Sequence, residues 1–443
     1  MRQTELLIHA RWVIPVEPEG QVLEYHSIAI DQGRISAIET TPNARRNFQA
    51  QNVVELGEHA LIPGLVNAHT HAAMSLLRGI ADDLPLMEWL QQHIWPAEQK
   101  WVAEQFVHDG TQLAMAEMLR GGTTCFNDMY FYPETAARAA AGAHMRASIG
   151  MILIDFPTRY AANVDEYFTK GLALHDEYRH HPLVSTAFAP HAPYSVSDEP
   201  LARVRTLADE LDCTVHMHLH ETTGEIEQSL QQYGTRPFER LDALGLVSPA
   251  LTAVHMTRLE DREIERLAET GASVVHCPES NLKLASGFSP VQRLLQAGVN
   301  VALGTDGAAS NNDLDMLGEM RSAALLGKAV AQDAAALPAA TVLRMATLNG
   351  ARALGLAADT GSLEPGKWAD IAAIDLSAPE TRPVYDPVSQ IVYAAGREQV
   401  SHVWVGGQKL LDARQLLQLD LADLERRVRG WQPLIGAGGA GHG

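Results

Sequence analysis

The sequence is short of cysteine, of lysine and of long apolar runs, and each shortage excludes a class of protein. Only 3 cysteines occur in 443 residues and none belong to a Cys-x-x-Cys pair, which argues against a disulfide scaffold or a cysteine-rich zinc site. No run of 18 apolar residues and no apolar signal-peptide core are present, so we expect no membrane span and no signal peptide. The resulting expectation is a cytoplasmic protein.

Positive charge is also scarce. Lys and Arg together number 34 against 54 Asp and Glu, which gives a formal net charge of −20. A chain this acidic argues against nucleic acid or an anionic membrane as a partner, but a pocket can still bind a small ligand. Hydrophobic residues make up 46% of the chain, which is enough to build a large core.

The order of apolar runs predicts an α/β protein with two parts. Short β-type runs occur in the first 60 residues and again at 370–375 and 400–405, and we expect them to pair into one small β-sandwich. Between them, eight apolar runs alternate with helical stretches, which is typical of a (β/α)8 TIM barrel. The predicted barrel strands are 61–71, 123–129, 147–154, 183–190, 214–220, 251–256, 273–278 and 300–304. The expected domains are 1–60 and 366–420 for the sandwich, 61–365 for the barrel, and 421–443 for a C-terminal helix with a mobile, low-complexity tail from residue 436.

Histidines and carboxylates cluster at the predicted carboxyl ends of these strands, which form the active-site face of such a barrel. His69 and His71 form an HxH pair, whose imidazoles lie on the same side of a strand. They could be a hydrogen-bonded pair or ligands that reach one cation at about 2.0–2.1 Å. Further histidines end the fifth, sixth and seventh strands, and Asp306 follows the eighth. Their convergence on one barrel mouth favours a mononuclear metal site.

Four motifs resemble those of the amidohydrolase superfamily over nearly the whole chain. They are PGLVNAHTH at 63–71, HMHLHET at 216–222, AVHMT at 253–257 and LGTDGAASNN at 303–312. The stretches DLPLMEWLQQHIWPAEQ at 83–99, APHAPYS at 189–195 and ESNLKLASG at 279–287 resemble the substrate loops of the 5′-methylthioadenosine/S-adenosylhomocysteine deaminases.

The resemblance implies one divalent cation per subunit and a set of catalytic groups. The implied metal ligands are His69, His71, His218 and Asp306. Zn²⁺ is favoured, although Fe²⁺, Ni²⁺ and Mn²⁺ suit similar ligands. Glu221 would give a proton to the ring, His255 would assist the attacking oxygen, and Asp306 would take the proton of the water. Many amidohydrolases bind two metals that are bridged by a carboxylated lysine on the fourth strand. No lysine ends the predicted fourth strand here, which disfavours a binuclear site.

For the substrate, the resemblance implies that His191 binds the purine, Glu98 binds the ribose hydroxyls and Trp89 forms an aromatic wall. Met151 stands where relatives that grip the S-adenosylhomocysteine carboxylate carry an arginine, and Arg159 is a possible substitute. The expected reaction is therefore hydrolytic deamination of the adenine ring, with 5′-methylthioadenosine preferred and S-adenosylhomocysteine or adenosine as further substrates.

Two other functions stay open at this point. One is a related aminohydrolase or chlorohydrolase acting on guanine, a pterin or an s-triazine, for which no ribose-binding Glu98 is needed. The other is an inactive scaffold homologue, which predicts the loss of metal ligands or of Glu221. The resemblance also implies a homo-oligomer, a dimer or a tetramer. The roles of His216, His220 and His276 stay unassigned.

Overall fold

The computed structural model describes residues 1–439, whose strands form two sheets. The first strands are β1 (Arg2–Val13), β2 (Leu23–Asp31), β3 (Arg34–Thr40), β4 (Phe48–Glu55) and β5 (His59–Pro63). The middle strands are β6 (Leu65–Thr70), β7 (Thr123–Asp128), β8 (Arg146–Leu153), β9 (Val184–Pro190), β10 (Val215–Leu219), β11 (Leu251–His255), β12 (Ser273–His276) and β13 (Asn300–Leu303). The last are β14 (Ile371–Asp375), β15 (Val400–Val405), β16 (Gln408–Asp412) and β17 (Gln415–Leu416).

Helices separate the middle strands and follow the last sheet. They are α1 (Thr41–Asn47), α2 (Leu86–Trp89), α3 (Trp95–Trp101), α4 (Glu104–Arg120), α5 (Pro133–Gly142), α6 (Val164–Tyr178), α7 (Asp198–Leu211), α8 (Thr223–Tyr233), α9 (Pro237–Ala243), α10 (Asp261–Thr270), α11 (Pro278–Lys283), α12 (Val291–Gln296), α13 (Ala308–Asn311), α14 (Met316–Ala331), α15 (Ala339–Met345), α16 (Leu348–Ala353), α17 (Pro387–Tyr393) and α18 (Leu421–Gly439). Short 3₁₀ segments are Ala72–Leu77, Pro379–Thr381 and Arg397–Gln399, and Leu90–Ile94 is a π-helical turn.

The eight middle strands confirm the predicted barrel. They run parallel and neighbour one another in chain order from β6 to β13. The barrel comes together where the end of β13 meets β6, because Asp306 N donates to the His69 carbonyl at 3.0 Å. A Cβ at Gly304 would lie 2.8 Å from His69 N, so only glycine permits this approach.

Both ends of the chain contribute to the second sheet, as predicted. Its order is β17-β16-β15-β14-β5-β1-β2-β3, and β4 pairs with β1. This sheet has its own core, which includes Ile8, Ile28, Ile371 and Trp404. The division of the chain into domains stays a prediction.

The predicted strand 61–71 is wrong in one respect, since it is two strands in different sheets. Residues 59–63 form β5 of the terminal sheet, and residues 65–70 form β6 of the barrel. Gly64 makes the crossing between them, and a Cβ there would lie 2.1 Å from the Thr124 side chain. A continuous apolar run does not reveal this change of sheet, because both strands are buried.

The C-terminal part differs from its prediction. Helix α18 continues to Gly439, so it includes four residues of the segment 436–443, for which the sequence predicts a tail. Residues 440–443 lie outside the described residues. None of the helices described between residues 1 and 439 combines the length and the apolar character that crossing a membrane requires.

Candidate active site

Four predicted ligands meet at the carboxyl-terminal mouth of the barrel. His69, His71, His218 and Asp306 each offer one ligand atom, and these atoms lie within 4.8 Å of one another. Asp306 Oδ1 is 3.2 Å from His69 Nε2 and 3.3 Å from His71 Nε2. The Nε2 atoms of His69 and His218 are 3.1 Å apart. We name these four residues the metal-ligand cluster.

The short separations in the cluster fit side chains that share one cation. Neighbouring ligand atoms bound to the same ion at 2.0–2.1 Å lie about 3 Å from one another. Burial lowers the pKa of His69 to about 4 and lowers that of His218 well below its usual value, which favours the neutral imidazole that binds a cation. The donor set of three imidazoles and one carboxylate therefore fits a divalent metal.

Neighbouring groups orient the ligands. His69 Nδ1 is 2.8 Å from His216 Nε2, and His71 Nδ1 is 2.5 Å from the Met129 carbonyl, so each ring turns its Nε2 to the cluster. Asp306 Oδ2 accepts hydrogen bonds from two serine hydroxyls at 2.7 Å, which leaves Oδ1 to the cluster. These serines, Ser280 and Ser310, lie in motifs that carried the resemblance, but the sequence alone did not single them out.

The structure separates the three histidines whose roles the sequence left unassigned. His216 lies behind His69 as its hydrogen-bond partner. His220 has a left-handed backbone with φ of 51°, and its Nε2 accepts from Phe238 N at 3.1 Å, away from the cluster. His276 is buried in β12 and does not line the cavity at the barrel mouth.

Glu221 is held close to the cluster on the turn that follows β10. Its Oε2 is 3.8 Å from His255 Nε2, and burial raises the pKa of its carboxyl. His255 Nδ1 lies 2.9 Å from Asn281 Oδ1, which directs its Nε2 to Glu221. A carboxyl with a raised pKa beside an oriented imidazole is a common arrangement for proton transfer.

A second carboxylate, Glu225, supports this turn. Its Oε1 accepts from His220 N at 3.0 Å and its Oε2 accepts from Glu221 N at 2.8 Å. Sequence analysis missed Glu225, although its spacing of three residues from the helix N-cap Thr222 is a capping-box signal.

A cavity of about 760 Å³ opens in front of the cluster. Besides cluster residues, it is lined by predicted site residues, which are Trp89, Glu98, Arg159, His191, Glu221 and His255. The helical segment 86–101 and the loop 154–160 also contribute lining residues, and we name these two segments the substrate wall. The cavity therefore joins a metal site to a surface that can select a substrate.

Glu98 is the carboxylate of the substrate wall. Its Oε1 accepts a hydrogen bond from the Tyr130 hydroxyl at 2.8 Å, and burial raises its pKa to about 7. Tyr130 was not predicted, because nothing in the sequence signals a partner 32 residues away. His191 also lines the cavity, and its Nδ1 is 2.9 Å from Ser195 Oγ, which fixes the orientation of the imidazole ring.

Met151 does not reach the cavity, which corrects the expectation that it faces the substrate. Its neighbours Ile152 and Ile154 line the cavity. Side chains alternate along a strand, so Met151 points outward, and a Cβ at Gly171 of α6 would lie 3.0 Å from its Cβ. Arg159 does line the cavity, and its Nη1 donates to the Lys100 carbonyl at 2.7 Å.

Comparison of the sequence with models of known protein families gives the same result as the barrel and the metal-ligand cluster. The model of the Amidohydrolase family matches residues 60–410, and the chain belongs to this family.

Individual relatives narrow the comparison. A protein of Saccharophagus degradans named 5-methylthioadenosine/S-adenosylhomocysteine deaminase is 52% identical over 433 residues, which are 98% of this chain and 97% of that protein. A crystal structure described as an adenosine deaminase from Xanthomonas campestris with bound zinc superposes with a TM-score of 0.98 at 55% identity, covering 98% of this chain and 99% of the other. Atrazine chlorohydrolase from Arthrobacter aurescens, complexed with zinc, has a TM-score of 0.90 at 25% identity, covering 96% and 99%.

Proposed function

We propose that this chain is a metal-dependent deaminase that hydrolyses the 6-amino group of adenine nucleosides, with 5′-methylthioadenosine as a substrate. The observation that carries the proposal is one cavity that is lined by members of the metal-ligand cluster, by Glu221 and by Glu98. A relative that is 52% identical is named for the same reaction. The products are the inosine analogue and ammonia.

His69, His71, His218 and Asp306 would hold the cation, and we propose Zn²⁺ because of the donor set and of the zinc in a structure at 55% identity. A bound cation of this type supplies acidity, since it lowers the pKa of water to about 7. His216, Ser280 and Ser310 keep the ligand atoms turned to that position. The chain therefore orients its ligands before any substrate enters.

Proton transfer is the task of Glu221, His255 and Asp306. Glu221, whose raised pKa keeps a proton available, gives it from its carboxyl to N1 of the adenine ring, so that C6 can accept the oxygen of water. Asp306 Oδ1 accepts the proton that the water gives up, and His255 Nε2 donates to the attacking oxygen. Asp306 then passes the proton that it took from the water to the amino group, which leaves as ammonia, and Glu221 takes the proton of the new C6 hydroxyl as the carbonyl forms.

Binding of the nucleoside falls to the substrate wall and to His191. His191 hydrogen-bonds the purine, Trp89 packs beside it, and the two oxygens of Glu98 accept the ribose hydroxyls. The side chains of Leu86, Met87, Leu90 and Phe156 also line the cavity and suit an uncharged methylthio group. Since Met151 lies outside the cavity, the proposed preference for this substrate rests on these apolar residues alone.

The direct test is an assay of the purified, zinc-loaded protein on 5′-methylthioadenosine, S-adenosylhomocysteine and adenosine, followed by the absorbance change from adenine to hypoxanthine. We expect turnover of the methylthio compound and its loss in Glu221→Gln. A zinc-loaded protein that leaves all three nucleosides unchanged would contradict the proposal. Guanine, a pterin and an s-triazine are then the substrates to assay, as the 25% identity to atrazine chlorohydrolase suggests for the last.

The inactive-scaffold alternative requires a lost ligand or a lost Glu221, and all of these residues are present and close together.

We further propose a cytoplasmic homo-oligomer, a dimer or a tetramer. The formal net charge of −20 supports a soluble metabolic role rather than nucleic-acid binding. Sedimentation measurements on the purified protein test the oligomeric state.

A further inference from the structure

The substrate wall contains an irregular helix whose geometry carries an inference of its own. Helix α2, the π turn Leu90–Ile94 and helix α3 follow one another without a break from residue 86 to residue 101. Trp95 N donates to the Leu90 carbonyl five residues earlier, whereas Leu90 N still reaches Leu86 four residues earlier. One wide turn is therefore inserted into an otherwise ordinary helix.

The wide turn changes which side chains share a face. Trp89 and Glu98 are nine residues apart. In an α-helix, nine residues turn through about 900°, which places the two side chains on opposite faces. If one residue is taken up by the wide turn, the remaining eight turn through about 800°, which leaves the two side chains about 80° apart. Both side chains line the same cavity, which agrees with the separation of about 80° and not with opposite faces.

The other cavity-lining positions of this segment follow the same count. They come as the pairs Leu86–Met87, Trp89–Leu90, Ile94–Trp95 and Glu98–Gln99. The steps between successive pairs are three, five and four residues, and the step of five spans the π turn, so the extra residue lies within that turn. Gln91 and Gln92, inside that turn, are exposed and do not line the cavity.

Pro96 gives the physical cause of the wide turn. It is the second residue of α3, so that only Trp95 separates it from the π turn. In a regular α-helix its ring would clash with the carbonyl of Gln92, four residues earlier, and it has no N–H to donate. Opening the turn before the proline relieves the clash without ending the helix.

We propose that Pro96 and the wide turn before it are a positioning device that brings Trp89 and Glu98 to one face of the substrate wall. The inference rests on the proposed function, in which these two side chains contact the base and the ribose of the same nucleoside. Neither Pro96 nor Gln91 touches the substrate in this arrangement. They act through the register of the helix.

The test removes the extra residue from the full-length, zinc-loaded protein. The test variant lacks Gln91 and carries Pro96→Ala, which permits a regular α-helix. Its matched control has the full length, keeps Pro96 and carries Gln91→Ala. For each, kcat/KM is measured on 5′-methylthioadenosine and on its 2′,3′-dideoxy analogue, and the ratio of the two reports the contact between Glu98 and the ribose.

We expect a ratio of about 100 or more in the native protein and in the control, because a half-buried carboxylate in the cavity wall that is left without its hydroxyl partners rejects the analogue. In the deletion variant the ratio should fall to about 1–3, with kcat on the analogue changed by less than about threefold. General damage to the fold would lower both rates and leave the ratio unchanged. A deletion variant that folds and keeps the native ratio would overturn the proposal.

Two further measurements keep the inference decidable. If the deletion variant does not fold, insertion of one alanine between Gln91 and Gln92 shifts the register by about 100° and should also collapse the ratio. A crystal structure of either variant shows whether Trp89 and Glu98 still share the cavity wall, and if they do, the proposal is wrong. This last result does not depend on which substrate is correct. A native protein inactive on nucleosides would contradict only the proposed function.

Discussion

The metal-ligand cluster and the substrate wall line the same cavity, but they are built in different ways. His69 is fully buried at the end of a barrel strand, and its second ring nitrogen is taken by a neighbour. On the wall, 43% of Met87 and 47% of Phe156 are exposed, and both belong to segments outside the barrel sheet. The cluster therefore has little freedom to move, whereas the wall can change without disturbing the barrel.

The contrast between the two sides implies that reaction and selection are separable here. Changes in the cluster and in its supporting turn should lower kcat for every substrate by a similar factor. Changes in the wall should alter KM and the choice among substrates. The following predictions test this separation in order of decreasing effect.

Removal of the metal should abolish activity. Dialysis against a chelator takes away the group that activates water, so turnover of every nucleoside should be lost, and added Zn²⁺ should restore it. Metal content and turnover are measured together during refilling, with a sample kept in buffer as control. Activity that persists in metal-free protein would show that the cluster is not the reactive part.

Glu221→Gln should lower kcat by about 10²–10⁴-fold on all substrates alike, because the amide cannot give a proton to the ring. Bound zinc should remain, since Glu221 is not among the four ligands. Steady-state kinetics and metal analysis check both points. A change confined to KM would mean that Glu221 binds the substrate and does not transfer the proton.

Glu98→Gln should lower kcat/KM on ribosides by about 10- to 150-fold, which corresponds to about 1.5–3 kcal/mol for hydrogen bonds to a charged group. The effect should lie mainly in KM. Glu88→Gln, an exposed residue of the same helical segment, is the matched control.

The same carboxyl predicts a pH dependence. Burial raises the pKa of Glu98 to about 7, so it gains a proton as the pH falls through that value and becomes a poorer acceptor. KM should therefore rise as the pH falls from 8 to 6, and this trend should be absent in Glu98→Gln. An unchanged trend in the variant would assign it to another group.

Glu225→Gln should lower kcat by about tenfold with little change in KM, since an amide offers one acceptor fewer to the backbone of His220 and Glu221. Glu227→Gln, exposed on the same helix, serves as the control. Equal effects of the two changes would remove Glu225 from the supporting turn.

Met151→Leu should be nearly neutral. The swap conserves volume at an outward-facing position, so it should cost less than about 1.5 kcal/mol of stability. The preference between 5′-methylthioadenosine and S-adenosylhomocysteine should stay within about twofold. A large shift in preference would show that Met151 acts on the cavity after all.

Sequence reasoning is most successful where local pattern and fold agree. Strand ends in a barrel share one mouth, which groups the histidines and Asp306 there, and the resemblance of the motifs selects His69, His71, His218 and Asp306 among them. It fails where the direction of a side chain or a change of sheet matters. Alternation along β8 turns Met151 away from the cavity, and the single apolar run 61–71 divides between two sheets.

The amino-acid sequence is sufficient to predict the barrel, the motifs of its mouth and the chemical types of the ligands, because periodicity and strand-end position are local properties. The groups that lie behind the ligands, such as His216 behind His69, and the partner that holds Glu98 are set by tertiary contacts. The shared face of Trp89 and Glu98 also depends on the folded chain, because a wide turn changes the register of a helix by one residue. Such contacts join residues far apart in the chain or depend on one hydrogen bond, and neither leaves a period in the sequence.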